Sequence, residues 1–111
     1  MIATAEAKFL RISSMKVRQV IDTIRGKDIA TSRALLIHIN KGATEAVRKV
    51  LDSAVSNAKQ KGLTEEQLFV AHITANHAGA WKRYRPGSFG RAMPILRRST
   101  HLTVGLDLKA R

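Results

Sequence analysis

Along the middle of the chain Ala43, Ala46, Val47, Val50, Leu51, Ala54, Val55 and Ala58 recur at the spacing of one helix face, with Arg48, Lys49, Ser53, Ser56, Asn57 and Lys59 opposite. The pattern predicts an amphipathic helix over about 41–61, capped by Asn40 and ended by Gly62, which can take the left-handed conformation. Its small apolar residues imply close packing. Val17, Val20, Ile21 and Ile24 mark an earlier helix, begun by a Ser13 cap and closed by Gly26, with a basic outer face. A shorter helix starts at an Asp28 cap and runs through IATSRALLIHI to end before Lys41 and Gly42.

On either side of this helical block the period falls to two. In LFVAHITANHA the residues Phe69, Ala71, Ile73 and Ala75 alternate with Val70, His72, Thr74 and Asn76. In STHLTVGLDLK the apolar set is Leu102, Val104, Leu106 and Leu108, and IATAEAKFL at the N-terminus alternates more weakly. The expected fold class is α+β: three helices packed on a small antiparallel three-stranded sheet, with a long protruding β-hairpin. If residues 68–79 pair with 97–108, the segment between them is the far end of that hairpin, projecting on the order of 40 Å at a rise of roughly 3.3 Å per residue. An isolated two-stranded ribbon is marginal in water, so this one should be held by what it touches.

Composition then narrows the partner. The length of 111 residues suits a single domain over 1–111, with 80–98 as an extended hairpin tip within it. Twenty Lys and Arg against eight Asp and Glu give a net charge of +12, so the partner should be polyanionic. The absence of cysteine excludes a disulfide framework, a thiolate zinc site and a cysteine nucleophile. No leader-like segment opens the chain and no run of eighteen apolar residues occurs, which reads as a soluble, unexported protein without membrane insertion.

The charge is uneven. AWKRYRPGSFGRAMPILRRST carries Lys82, Arg83, Arg85, Arg91, Arg97 and Arg98, no acid, both prolines of the chain, and Trp81, Tyr84 and Phe89. Residues 8–27 hold Lys8, Arg11, Lys16, Arg18, Arg25 and Lys27 against Asp22 alone. Glu45, Asp52, Glu65 and Glu66 lie between these two groups, which suggests one face turned to water and another to the polyanion.

The stretches AKFLRISSMKVRQVIDTIRGKDIATSRALL, VLDSAVSNA and KRYRPGSFGRAMPILRRSTHLTV, in this order and spacing, resemble the large-subunit ribosomal protein twenty-two family of bacterial or organellar type. The likeness covers nearly the whole chain. It implies an α+β body that binds ribosomal RNA on the outer surface of the large subunit, and a hairpin that lines the nascent-peptide exit tunnel. Its implied partners are large-subunit ribosomal RNA, neighbouring large-subunit ribosomal proteins and the nascent polypeptide, with no cofactor, on a cytoplasmic or organellar ribosome. The chain departs from the family pattern at Ser13, Ser14 and Met15, where Ser-Pro-Arg is common, and at Gly87, Ser88 and Phe89, where arginines often follow the proline.

On that footing the candidate RNA contacts are Lys8, Arg11, Lys16, Arg18, Arg25 and Lys27 in the first group and Trp81, Lys82, Arg83, Tyr84, Arg85, Arg91, Arg97 and Arg98 in the second. Lys and Arg displace counterions from phosphates, arginine adds bidentate and stacking contacts, and the aromatic rings offer faces to unpaired bases. The tunnel-lining tip would be Pro86, Gly87, Ser88, Phe89, Gly90, Arg91, Ala92 and Met93. Met93, Pro94 and Ile95 form a small apolar patch suited to a neighbouring protein or to a base.

Other readings lack residues to carry them. His72 and His77, with His38 and His101 elsewhere, have no carboxylate cluster or cysteine beside them, so no metal site is expected. Gly26 and Lys27 do not make a phosphate loop, because position 21 is Ile where Walker spacing needs glycine. A DNA-binding dimer would need a self-complementary surface that nothing announces, so no homo-oligomer is expected. The basic segment contains no acid for nuclease chemistry, and the chain is not expected to be an enzyme.

Overall fold

The structure is a computed structural model that describes residues 2–39, 41–86, 90 and 92–109, with the backbone alone at 79–86 and 92–98. Its order is β1 (Ala3–Leu10), α1 (Ser14–Ile24), α2 (Ile29–His38), α3 (Thr44–Gln60), a 3-10 turn (Glu65–Gln67), β2 (Leu68–Pro86) and β3 (Ala92–Leu108). The strands form one antiparallel sheet in the order β1-β3-β2. This is the expected α+β architecture.

The helices cover one face of the sheet. Val17, Val20, Ile21 and Ile24 of α1, and Val47, Val50, Leu51, Ala54, Val55 and Ala58 of α3, are buried against Leu68, Val70, Ile73, Ala75, Leu102, Val104 and Leu106. Period-3.6 stripes meet a period-2 face, so each element buries what its pattern set aside. The opposite sheet face carries polar residues such as Glu6, His72, Thr74, Asn76 and Thr103, none of them fully buried.

The helix boundaries show which local signals the chain uses. Asp28 caps α2, its carboxylate accepting from the Thr31 amide at 3.0 Å. Gly26 (φ +77°) and Gly62 (φ +82°) take the left-handed conformation that ends a helix without a Cβ clash. Ser13 is the cap of α1, but its hydroxyl accepts no first-turn amide. The start of α3 also differs from expectation: it begins at Thr44 behind Ala43, because Lys41 to Ala43 form a turn joined by the Thr44 amide to the Lys41 carbonyl, and Asn40 lies outside the described residues.

Alternation in β2 is broken by two bulges. Between the pairs Val70↔Leu106 and His72↔Gly105 one extra residue, Ala71, enters β2, and a second irregularity separates His77↔Thr100 from Gly79↔Ser99. The first bulge inverts the faces: Leu68 and Val70 point inward before it and Ile73 and Ala75 after it. The inward placement expected for Phe69 and Ala71 is therefore corrected, and both are only half-buried. In β3 Leu102, Val104 and Leu106 are inward as the pattern requires, whereas Leu108 is exposed.

Pairing of β2 with β3 continues through Trp81↔Arg97 and Arg83↔Ile95 to Pro86↔Ala92. The molecule is 66 Å long but 26 and 17 Å across, so this ribbon carries the chain well beyond its core.

Candidate nucleic-acid interface

Two sides of the body differ in how their charges are answered. On the α2 and α3 side Arg33 bridges Asp52 at 3.1 Å and Glu65 at 2.7 Å, Lys59 pairs with Glu65 at 3.0 Å, and Lys109 with Asp28 at 3.6 Å. The Arg33 hydrogen bond, then that of Lys59, holds the Glu65 carboxyl below its ordinary value, while Glu65 raises the Arg33 guanidinium. Hydrogen bonds from Thr31 lower Asp28. Among the described residues Lys8, Lys16 and Lys27 have no acidic partner, and all three are exposed. That contrast separates a neutralised side from a cationic one.

At the start of α1 an open cleft of about 570 Å³ is lined by Arg11, Ile12, Ser13, Lys16, Gln19, Lys41, Gly42 and Ala43. The first turn of α1 contains no acid, so the positive end of its dipole adds to these cations. Lys41 was not among the residues singled out in the sequence. Its ammonium donates to the Gln19 side chain at 3.5 Å, and it enters the cleft because the turn before α3 folds back toward α1. Its only sequence signal is a cation beside the Gly42 break.

Arg18 and Arg25 have a second task. Arg18 donates through Nε and Nη2 to the Ala75 carbonyl at 3.2 and 2.9 Å, and Arg25 donates to the Ile73 carbonyl at 2.9 Å and to Asp22 at 2.8 Å. β2 pairs with β3 on one side only, so these guanidiniums clip α1 to its other edge. The same edge is closed further along by the Gly26 amide on the Val70 carbonyl and the Val70 amide on the Lys27 carbonyl, at 2.9 and 2.8 Å. The Lys27 ammonium stays exposed while its backbone joins α1 to the sheet. Asn57 of α3 ties down β1 in a similar way, donating to the Thr4 carbonyl at 2.7 Å.

Toward the far end of the hairpin the register fixes which residues stand opposite one another. Trp81 stands opposite Arg97, Ala80 opposite Arg98, Lys82 opposite Leu96, Arg83 opposite Ile95, Tyr84 opposite Pro94 and Arg85 opposite Met93. The antiparallel fold thus gathers into one ribbon basic residues that are as much as sixteen positions apart in sequence, as Arg98 is from Lys82. Pro86 and Ala92 pair at its end and Gly90 follows with φ +71°. Gly87, Ser88, Phe89 and Arg91, all assigned to the tip, lie outside the described residues.

Among the described residues no three His, Asp or Glu side chains group as metal ligands, and no helix is long and apolar enough to cross a membrane. His38, His72 and His77 are exposed and scattered.

Residues 5–107 match the family described as ribosomal protein L22p/L17e. The chain belongs to that family. It is 44% identical over 107 residues to the large ribosomal subunit protein uL22 of Sulfurihydrogenibium sp. (strain YO3AOP1), covering 96% of this chain and 92% of the relative. The protein of the same name from Desulfitobacterium hafniense (strain DSM 10664 / DCB-2) is 45% identical over 92% of this chain and 90% of its own length. That of Mesoplasma florum is 43% identical over 94% of both. The resemblance drawn from IRGKD, SNA and the basic hairpin therefore holds, and the family is one of structural ribosomal proteins rather than enzymes.

Proposed function

We propose that the protein is a structural constituent of the large ribosomal subunit that binds ribosomal RNA through the α1 side of its body and extends residues 80–98 to line the nascent-peptide exit tunnel. The observation that carries this reading is the segregation of charge: acids answer the cations of α2 and α3, whereas among the described residues Lys8, Lys16 and Lys27 stand without acidic partners, and the ribbon adds Lys82, Arg83, Arg85, Arg97 and Arg98. A polyanion of fixed shape fits both regions, and the large-subunit name of the relatives supports ribosomal RNA as that polyanion. The protein would act as a single copy among neighbouring large-subunit proteins, with the nascent polypeptide passing Pro86 to Met93. Its place in the cell is the ribosome.

Counterion release makes the reading measurable. With six phosphate contacts on largely single-stranded RNA, the logarithm of the affinity should fall with the logarithm of salt at a slope of about −4. Titrating the full chain with a large-subunit RNA fragment at several salt concentrations gives that slope. A slope near zero would exclude a phosphate-dominated interface.

A further inference from the structure

β1 contains an irregularity with a chemical consequence. Its register runs from Ala7↔Leu102 to Leu10↔Thr100, so Lys8 and Phe9 together face the single residue His101. At this bulge Phe9 has φ +56°, the only positive φ of a non-glycine residue among those described. That conformation is disfavoured for an aromatic residue and persists only where surrounding contacts impose it.

Those contacts are specific. The Phe9 amide, taken out of the ladder by the bulge, donates to Nδ1 of His101 at 3.2 Å. The two rings meet edge to face, with centroids 4.7 Å apart and planes at 78°. Just beyond, the Thr100 hydroxyl donates to the Ile12 carbonyl at 2.6 Å and pins the chain to β3 as it leaves for α1. Yet Phe9 is 58% exposed and belongs neither to the core nor to the residues packed against it. An aromatic side chain in a strained backbone, fixed at its amide and turned to solvent, contributes little to folding.

Its surroundings indicate what it meets. Lys8 is its exposed neighbour, Arg11 and the α1 cleft follow it in the chain, and Arg98 and Arg97 lie just beyond Ser99 on the strand that carries His101. The bulge thus stands between the two cationic regions.

We infer that Phe9 is a base-stacking residue, presenting its ring to one unpaired base of a bound RNA while Lys8 faces the phosphates, and that His101 is the positioning residue that braces it. A base offers a flat face to such a ring and a phosphate to the cation beside it. The inference rests on the RNA-binding reading above and adds a residue and a preference for unpaired bases.

The test uses the full chain and two RNAs of equal phosphate count: a stem-loop with 2-aminopurine in the loop, and a fully paired duplex. The wild type should favour the stem-loop and change its 2-aminopurine fluorescence. Phe9→Ala and Phe9→Gly should lose roughly 10-fold in stem-loop affinity together with that signal, leave duplex affinity unchanged, and be rescued by Phe9→Trp. His101→Ala should show a smaller loss in the same direction. Because glycine accepts φ +56°, Phe9→Gly should melt no lower than the wild type, which a purely structural Phe9 would not allow. If the wild type binds both RNAs and Phe9→Gly binds the stem-loop equally well, the stacking role is overturned and the RNA-binding reading stands. If Phe9→Gly instead binds RNA normally but enters large subunits poorly, the ring docks on a neighbouring protein, which also overturns stacking. A wild type that binds neither RNA sinks both readings.

Discussion

Arg33 is the residue on which the neutral side of the body turns. It reaches from α2 to Asp52 of α3 and to Glu65 of the turn before β2, holding three segments with one guanidinium. Glu65 also receives Lys59, and its carboxyl is held below its ordinary value by those two cations. The same is true of Asp28 through Thr31. A carboxyl whose pKa is depressed by folding contributes stability that is complete above the unfolded value, near 4, and is lost as pH falls through the folded value. The free protein should therefore lose stability from about pH 5 downward. Glu65→Gln should cost about 1 kcal/mol or less at pH 7, since the side chain is one-third exposed, and should make the acid limb shallower. Urea midpoints of both proteins at pH 7 and pH 3 check this. Curves that fall in parallel would mean that Glu65 plays no part in the acid response.

At the scale of elements, the edge of β2 explains residues that charge alone would give to RNA. A strand paired on one side presents unpaired carbonyls, and here Arg18 and Arg25 cover those of Ala75 and Ile73. The double substitution Arg18→Ala, Arg25→Ala should lower stability by about 1–2 kcal/mol, at roughly 1 kcal/mol per hydrogen-bonded clip, and increase self-association through the bared edge. Lys16→Ala with Lys27→Ala should weaken RNA binding and leave stability within about 0.5 kcal/mol. Denaturation and light scattering on the two double variants distinguish the roles. Equal stability in both would remove the edge-clip assignment. This division was not legible in the sequence, because which carbonyls stand open depends on the order β1-β3-β2 and on strands far apart in the chain. What was legible is local: the apolar stripes of α1 and α3, the Asp28 cap, and the glycines at 26 and 62. The Ala71 bulge escaped notice because Val70 and Phe69 are both apolar and only the partner strand decides which faces inward. Phe9 escaped it for a similar reason. A positive φ leaves no mark on the residue type when the side chain that accepts from its amide is a histidine ninety-two positions away.

For the whole molecule, the 66 Å length joins two regions with different requirements. The body is held by α1, α3 and the inward residues of the sheet, all of which lie outside 80–98. Deleting residues 85–95 leaves Lys82 opposite Leu96 across Arg83 and Tyr84 and leaves the described core intact. On the function proposed above, that variant should fold and dock on the large subunit through its body, while the passage of nascent chains through the exit tunnel changes. Val50→Asp acts on the other region. Val50 is 6% exposed in the stripe of α3, and an unpaired carboxylate there costs several kcal/mol, a large share of the 5–15 kcal/mol typical of a small domain. The variant should fail to accumulate or to join particles. Quantifying both chains in purified large subunits, and following nascent chains through the subunits that contain the deletion, separates the two contributions. If the tip deletion is missing from particles while the Val50→Asp chain enters them, the ribbon rather than the body directs docking and the division of roles argued from the core is reversed.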